Sequence, residues 1–158
     1  MRPIALFALA ALALPACSPQ ADPPAPPPPA SEPAPVLAGV DLGQPVRVGG
    51  NEPFWTVEIT GTELIYSGVD RPEQRAPSPT PVVQGTVATY EATTAIGTSL
   101  NITLTATTCS DGMSDRTYPL SAIVKVGEET LTGCAASSAA IMTTGERGPV
   151  VEKAQPPA

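Results

Sequence analysis

The chain has 158 residues, with 21 prolines, 15 carboxylates against 8 lysines and arginines, three cysteines and no histidine. Without an imidazole, Ser-His-Asp triads, Cys-His pairs and histidine-based zinc sites are excluded, and three thiols are too few for a four-cysteine site. A net charge of −7 repels phosphate backbones, which argues against nucleic acid as a partner and fits a basic one better.

Residues 1–16 read as a processing signal. Arg2 gives a positive start, Ile4 to Leu14 is an unbroken apolar run, and Leu14-Pro15-Ala16-Cys17 follows. As a helix the run rises only about 16 Å, roughly half a bilayer's hydrocarbon core, so it is too short to span. The cleavage region resembles a bacterial lipobox, with Pro15 a less usual intervening residue. That resemblance implies a lipoprotein whose Cys17 thiol accepts a diacylglyceryl group and becomes the first mature residue. Several acyl chains together make membrane attachment effectively permanent. Ser18 stands where an Asp would signal inner-membrane retention, so the expected location is the outer membrane, facing the periplasm.

Residues 17–38 form the lipidated start and a tether. Nine of the seventeen residues from Pro19 to Pro35 are proline, and such a segment cannot bury a core. As a polyproline II spacer at ~3.1 Å per residue it holds the next domain up to roughly 50 Å from the bilayer.

Residues 39–142 carry an all-β pattern. Trp55, Val57 and Ile59 alternate with Phe54, Thr56 and Glu58; Leu100, Ile102 and Leu104 alternate with Asn101, Thr103 and Thr105. Leu64 to Ser67, Val82 to Ala92 and Tyr118 to Val126 are also strand-like, and glycines punctuate the runs. Six to eight short antiparallel strands in a meander predict a small barrel or sandwich. Arg71 to Pro81, with four prolines, reads as the longest internal loop, and Ala135 to Met142 as a short helical turn. Residues 143–158, rich in proline and charge, read as a disordered tail.

With Cys17 consumed by lipid, Cys109 and Cys134 remain as a pair in an oxidising compartment, where a disulfide is expected. Both lie on the polar-face parity of their segments. Their spacing lacks the Cys-x-x-Cys pattern that tunes thiol reactivity, so the bridge reads as structural rather than redox-active.

Three segments are more specific than composition: Gly50-Asn51-Glu52-Pro53-Phe54-Trp55, Cys109-Ser110-Asp111-Gly112-Met113-Ser114-Asp115-Arg116-Thr117-Tyr118-Pro119, and Leu131-Thr132-Gly133-Cys134-Ala135. Together they resemble a family of uncharacterised bacterial membrane proteins and lipoproteins with the same motifs, across about residues 48–135. The resemblance brings a class and no activity.

Candidate binding residues follow from the first two segments: Glu52, Phe54 and Trp55, then Asp111, Asp115 and Arg116. Trp55 reads as the largest core residue and Phe54 as the plug of a barrel end, with an aromatic ligand platform beside Glu52 as the alternative. Asp111 reads as the acceptor of an Asx-turn, with Asp115 paired to Arg116 or to backbone amides. The two carboxylates could instead grip a cation or a partner's basic side chain, but the spacing is not that of an EF-hand loop, and no metal or cofactor is expected. The expected function is a non-catalytic binding or envelope-accessory lipoprotein whose partners are the membrane, through its anchor, and a basic protein or other envelope component. Lipid-anchored lysozyme inhibitors are similar in architecture and acidity, although their loop motifs differ. A hydrolase using Glu52, Asp111 and Asp115 is the catalytic alternative, disfavoured by two lysines and no histidine.

Overall fold

The computed structural model describes residues 33–152; the signal segment, Cys17 and most of the tether lie outside them. A short antiparallel ribbon, β1 (Val36–Leu37) and β2 (Val40–Asp41), leads in. A first meander follows, β3 (Val46–Asn51), β4 (Phe54–Ile59), β5 (Glu63–Gly68) and β6 (Arg71–Pro77). A second contains β7 (Val82–Gln84), β8 (Val87–Thr93) and β9 (Ser99–Thr105). A loop carrying β10 (Asp115–Thr117) then leads to β11 (Leu120–Val126) and β12 (Glu129–Ser137), before α1 (Ser138–Thr143) and β13 (Arg147–Pro149). β12 pairs back onto β3, which welds the two meanders into one nine-stranded sheet of order β6-β5-β4-β3-β12-β11-β9-β8-β7. Every pairing in it is antiparallel.

Strict alternation makes this sheet curl around its own apolar face. Val46, Val48, Trp55, Val57, Ile59, Leu64, Leu100, Ile102, Leu104, Leu120 and Val124 all point inward and are buried. The sheet bends into a half-barrel until β6 approaches β8, where the amide of Ala95 donates to the carbonyl of Arg75 at 3.1 Å. At one mouth Arg71 donates to the Tyr66 hydroxyl at 2.7 Å and to the Glu129 carboxylate at 2.6 Å, tying an edge strand to a central one.

Tyr90 also points inward, is 1% exposed, and its hydroxyl has no hydrogen-bond partner among the described residues. Burial pushes its phenol up to about 12. Because the folded value lies above the unfolded one, this contribution to stability is intact below about pH 10 and is lost as pH rises from there through about 12. Tyr90→Phe removes the orphaned hydroxyl at almost constant volume, so the variant is expected to match or exceed the wild type at neutral pH and to lose less stability in alkali. Urea midpoints measured across that alkaline range check both statements.

Four expectations are corrected. The segment read as a long loop from Arg71 to Pro81 contains β6. As an edge strand β6 is paired on one side only, and Pro72 sits at the register irregularity opposite Tyr66 and Gly68, where a missing N–H is tolerated. The helix begins at Ser138 rather than Ala135, because Ala135, Ala136 and Ser137 continue β12 in register with β3. Within the described residues the chain beyond residue 142 is not a disordered tail, since Arg147–Pro149 forms β13, parallel to β10; residues 153–158 lie outside them. Val150 is buried there with Ala136 and Ala140, packed against by Tyr118 and Ile141, giving the outer face of the sheet a small second core. The sheet also has nine strands, where six to eight were expected.

Candidate functional site

The ladder between β3 and β12 ends at the Gly49 and Cys134 pair, while each strand continues along its other neighbour. Glycines let the backbones crowd together beyond that point. A Cβ on Gly50 would lie 2.6 Å from both the Thr132 carbonyl oxygen and the Trp55 indole nitrogen, and one on Gly133 would lie 2.1 Å from the Gly49 oxygen. Trp55 therefore sits directly beneath a floor of bare backbone. Gly49 faces outward, and nothing lies closer than 3.4 Å to where its Cβ would be.

Over this floor lies the segment between β9 and β10, held in three ways. The Cys109–Cys134 disulfide pins it to β12. Cys109 and Tyr118 exchange backbone hydrogen bonds of 2.9 and 2.8 Å, which closes the base of the loop. Asn51 Nδ2 donates to the Asp111 carbonyl at 2.5 Å, tying β3 to the loop. Cys134 lies on the solvent-side parity that the sequence indicated, since Thr130, Thr132 and Cys134 alternate with inward Leu131 and Ala135, whereas Cys109 lies beyond the end of β9 and has no strand parity.

Two compartments share Gly49, Gly50, Asn51, Asp111, Met113 and Cys134. The first, about 540 Å³, adds Glu52, Ser110 and Thr132 and is mainly polar. The second, about 490 Å³, adds Arg47, Phe54, Thr56, Arg116, Tyr118 and Ile141. Phe54 is 54% exposed and Met113 75% exposed, so two large apolar side chains stand at the rim in solvent.

The six candidate residues separate into distinct roles. Trp55 is 1% exposed and belongs to the core, as expected for the largest apolar side chain. Phe54 does not plug a barrel end: odd positions of β4 face the core, so it is turned outward and lines the second compartment. Glu52, at the β3–β4 turn, lines the first compartment. Asp111 accepts four hydrogen bonds, from the Met113 amide (3.0 Å), the Ser114 amide (2.8 Å), the Ser114 hydroxyl (2.7 Å) and the Tyr118 hydroxyl (3.1 Å). This is the expected Asx-turn. Arg116 donates to the Thr144 and Gly145 carbonyls at 3.1 and 2.8 Å and lies 3.5 Å from Glu146, so it anchors the strap that carries β13. Asp115, on β10, is exposed and lines neither compartment. Its expected pairing with Arg116 is replaced by Arg116's contacts to the strap. Gly49, Asn51, Met113 and Tyr118 were not among the candidates. Asn51 and Tyr118 lie inside the quoted motifs, but only the β3 register shows that Gly49 is the floor.

The Asp111 carboxyl combines opposing influences. Burial raises its pKa, but the hydrogen bonds from Ser114, Met113 and Tyr118 outweigh this and hold it below the ordinary carboxylate value. Its contribution to stability is therefore present above the unfolded value of about 3.9 and is lost as pH falls through the folded one. Asp111→Asn is expected to cost about 1 kcal/mol at neutral pH after solvent screening, because an amide nitrogen cannot accept from the Ser114 and Tyr118 hydroxyls. The variant's urea midpoint should also fall less steeply in acid than the wild type's; equal acid dependence of the two would contradict this assignment.

Among the described residues no group of three or more Cys, Asp or Glu side chains is placed to hold a metal ion, and no helix is long and apolar enough to cross a membrane. In comparisons with known proteins, no family model, curated protein or solved structure matches the chain.

Proposed function

We propose that the protein is a lipid-anchored accessory protein of the cell envelope, attached through Cys17 at the periplasmic face of the outer membrane, whose β-domain is a non-catalytic recognition module. The cleft between the Asp111 loop and the Gly49-Gly50 floor is its binding site. The observation that carries this reading is the way two ionisable groups of the cleft, Asp111 and Arg116, are used. Asp111 is an ionised acceptor saturated by four internal hydrogen bonds, and Arg116 is bound to backbone carbonyls of the strap. A general acid needs a carboxyl whose pKa is raised toward the working pH, and Asp111 is shifted the other way. Asp115, the third carboxylate of a hydrolytic reading, lies outside both compartments. A pinned loop over a rigid glycine floor suits recognition, because little ordering remains to oppose binding.

The anchor is tested by Cys17→Ala. The wild type is expected in the membrane fraction with acyl mass on its amino-terminal peptide, and the variant is expected to lose both the acyl mass and membrane retention. An unlipidated wild-type amino terminus would overturn the anchor.

A further inference from the structure

Resting on the recognition reading above, we infer that the cleft takes a neutral oligosaccharide, with a pyranose ring stacked on Phe54. Each charged side chain of the second compartment already has an internal partner. Arg47 pairs with Glu58 at 3.0 Å, Asp111 holds four donors, and Arg116 is bound to the strap and lies beside Glu146. A charged ligand would have to compete with these contacts, whereas a neutral one leaves them intact.

What the cleft offers beyond them is a set of neutral groups. The Thr56 hydroxyl can donate to or accept from a ligand's hydroxyls, and the Oδ1 of Asn51 can accept from them. Beside them stands the Phe54 ring, more than half exposed and lining the compartment, so it is accessible to a ligand. A pyranose presents this combination: C–H groups on one face to lie on a π-surface, and a rim of hydroxyls that donate and accept. The second compartment, about 490 Å³, lies within the roughly 300–1,000 Å³ range of small-molecule sites. Concavity of this kind fits a short glycan better than the broad face of a folded protein.

The experiment is calorimetric titration of the full mature lipidated chain, in micelles whose headgroups carry no sugar, with chitotetraose and with cellotetraose. Tetralysine serves as the basic-ligand control. Trp55, the single tryptophan, lies under the cleft floor and gives a second readout by fluorescence. Saturable binding of at least one tetrasaccharide is expected, weakened at least about tenfold by Phe54→Ala and lost in Gly49→Leu, whose side chain would project from the cleft floor, with its Cβ in ordinary contact with Trp55 and Thr56. Ile96→Ala, in the exposed turn between β8 and β9 and lining neither compartment, should bind as the wild type does. Phe54 is exposed, so its alanine variant retains the fold, and matching unfolding midpoints verify this. Failure of both tetrasaccharides, unchanged binding in Phe54→Ala, or binding of tetralysine in their place overturns the glycan assignment. The recognition reading falls separately, if neither cleft variant alters what the protein retains from the envelope.

Discussion

Replacing Cys109 and Cys134 together by alanine is expected to lower the unfolding free energy by about 3.5 kcal/mol, the chain-entropy value for a loop of this size. The bridge spans 25 residues and joins the loop over the cleft to β12, so its loss both enlarges the unfolded ensemble and loosens the cleft wall. Two other ties remain in the variant, the Cys109 and Tyr118 backbone pair and the Asn51 side chain on Asp111. They keep the loop near its place but do not restrict the unfolded chain. Urea unfolding of the variant beside the wild type measures the difference. A loss under about 1 kcal/mol would mean that those ties, and not the disulfide, hold the segment.

A loss of about 3–5 kcal/mol is expected for Trp55→Ala, the largest effect of any single side-chain truncation in the domain. Trp55 is the largest of the fully buried side chains, in a chain with only six aromatic residues, so little neighbouring bulk is available to refill the space. It also supports the crowded backbone above it, since Gly50 and Gly133 both approach its ring. The same packing predicts a contrast between two glycines. Gly133→Ala places a methyl 2.1 Å from a backbone oxygen that cannot move aside, and is expected to cost about 1–3 kcal/mol. In Gly49→Ala the methyl meets nothing closer than 3.4 Å, and the substitution is expected to be nearly neutral. Thermal or urea unfolding of the three variants checks the order; equal losses at the two glycines would contradict the described approach of β12 to β3.

The all-β character of the domain was legible in the sequence because period-two alternation is imposed by the sheet itself. Trp55, Val57 and Ile59, and Leu100, Ile102 and Leu104, bury the faces that their spacing indicates. The cysteine pairing was legible because only two thiols remained once Cys17 was assigned to lipid; strand parity places Cys134 but not Cys109, which lies beyond the end of β9. What could not be read was anything fixed by long-range pairing. The joining of β12 to β3 depends on residues more than eighty positions apart, and it creates the fork in which the cleft lies. Proline content pointed to a loop at β6 because composition does not reveal that a strand is at an edge. Phe54 was singled out with the correct alternation, yet assigned to a barrel end. The second core of Val150, Ala136 and Ala140, which ends the cleft on that side, shows how a few small apolar residues can order a segment whose composition reads as unstructured. Asp115 and Arg116 were grouped with Asp111 by proximity in sequence. Folding sends one to solvent and uses the other to hold the strap.

Retention of native envelope components tests whether the cleft is a recognition site. Detergent extracts are passed over the lipidated wild type, Phe54→Ala and Gly49→Leu, and retained protein and glycan are both analysed. At least one component is expected to be held stoichiometrically by the wild type and lost from both variants, with their folding unchanged. Identical retention by all three proteins would contradict it.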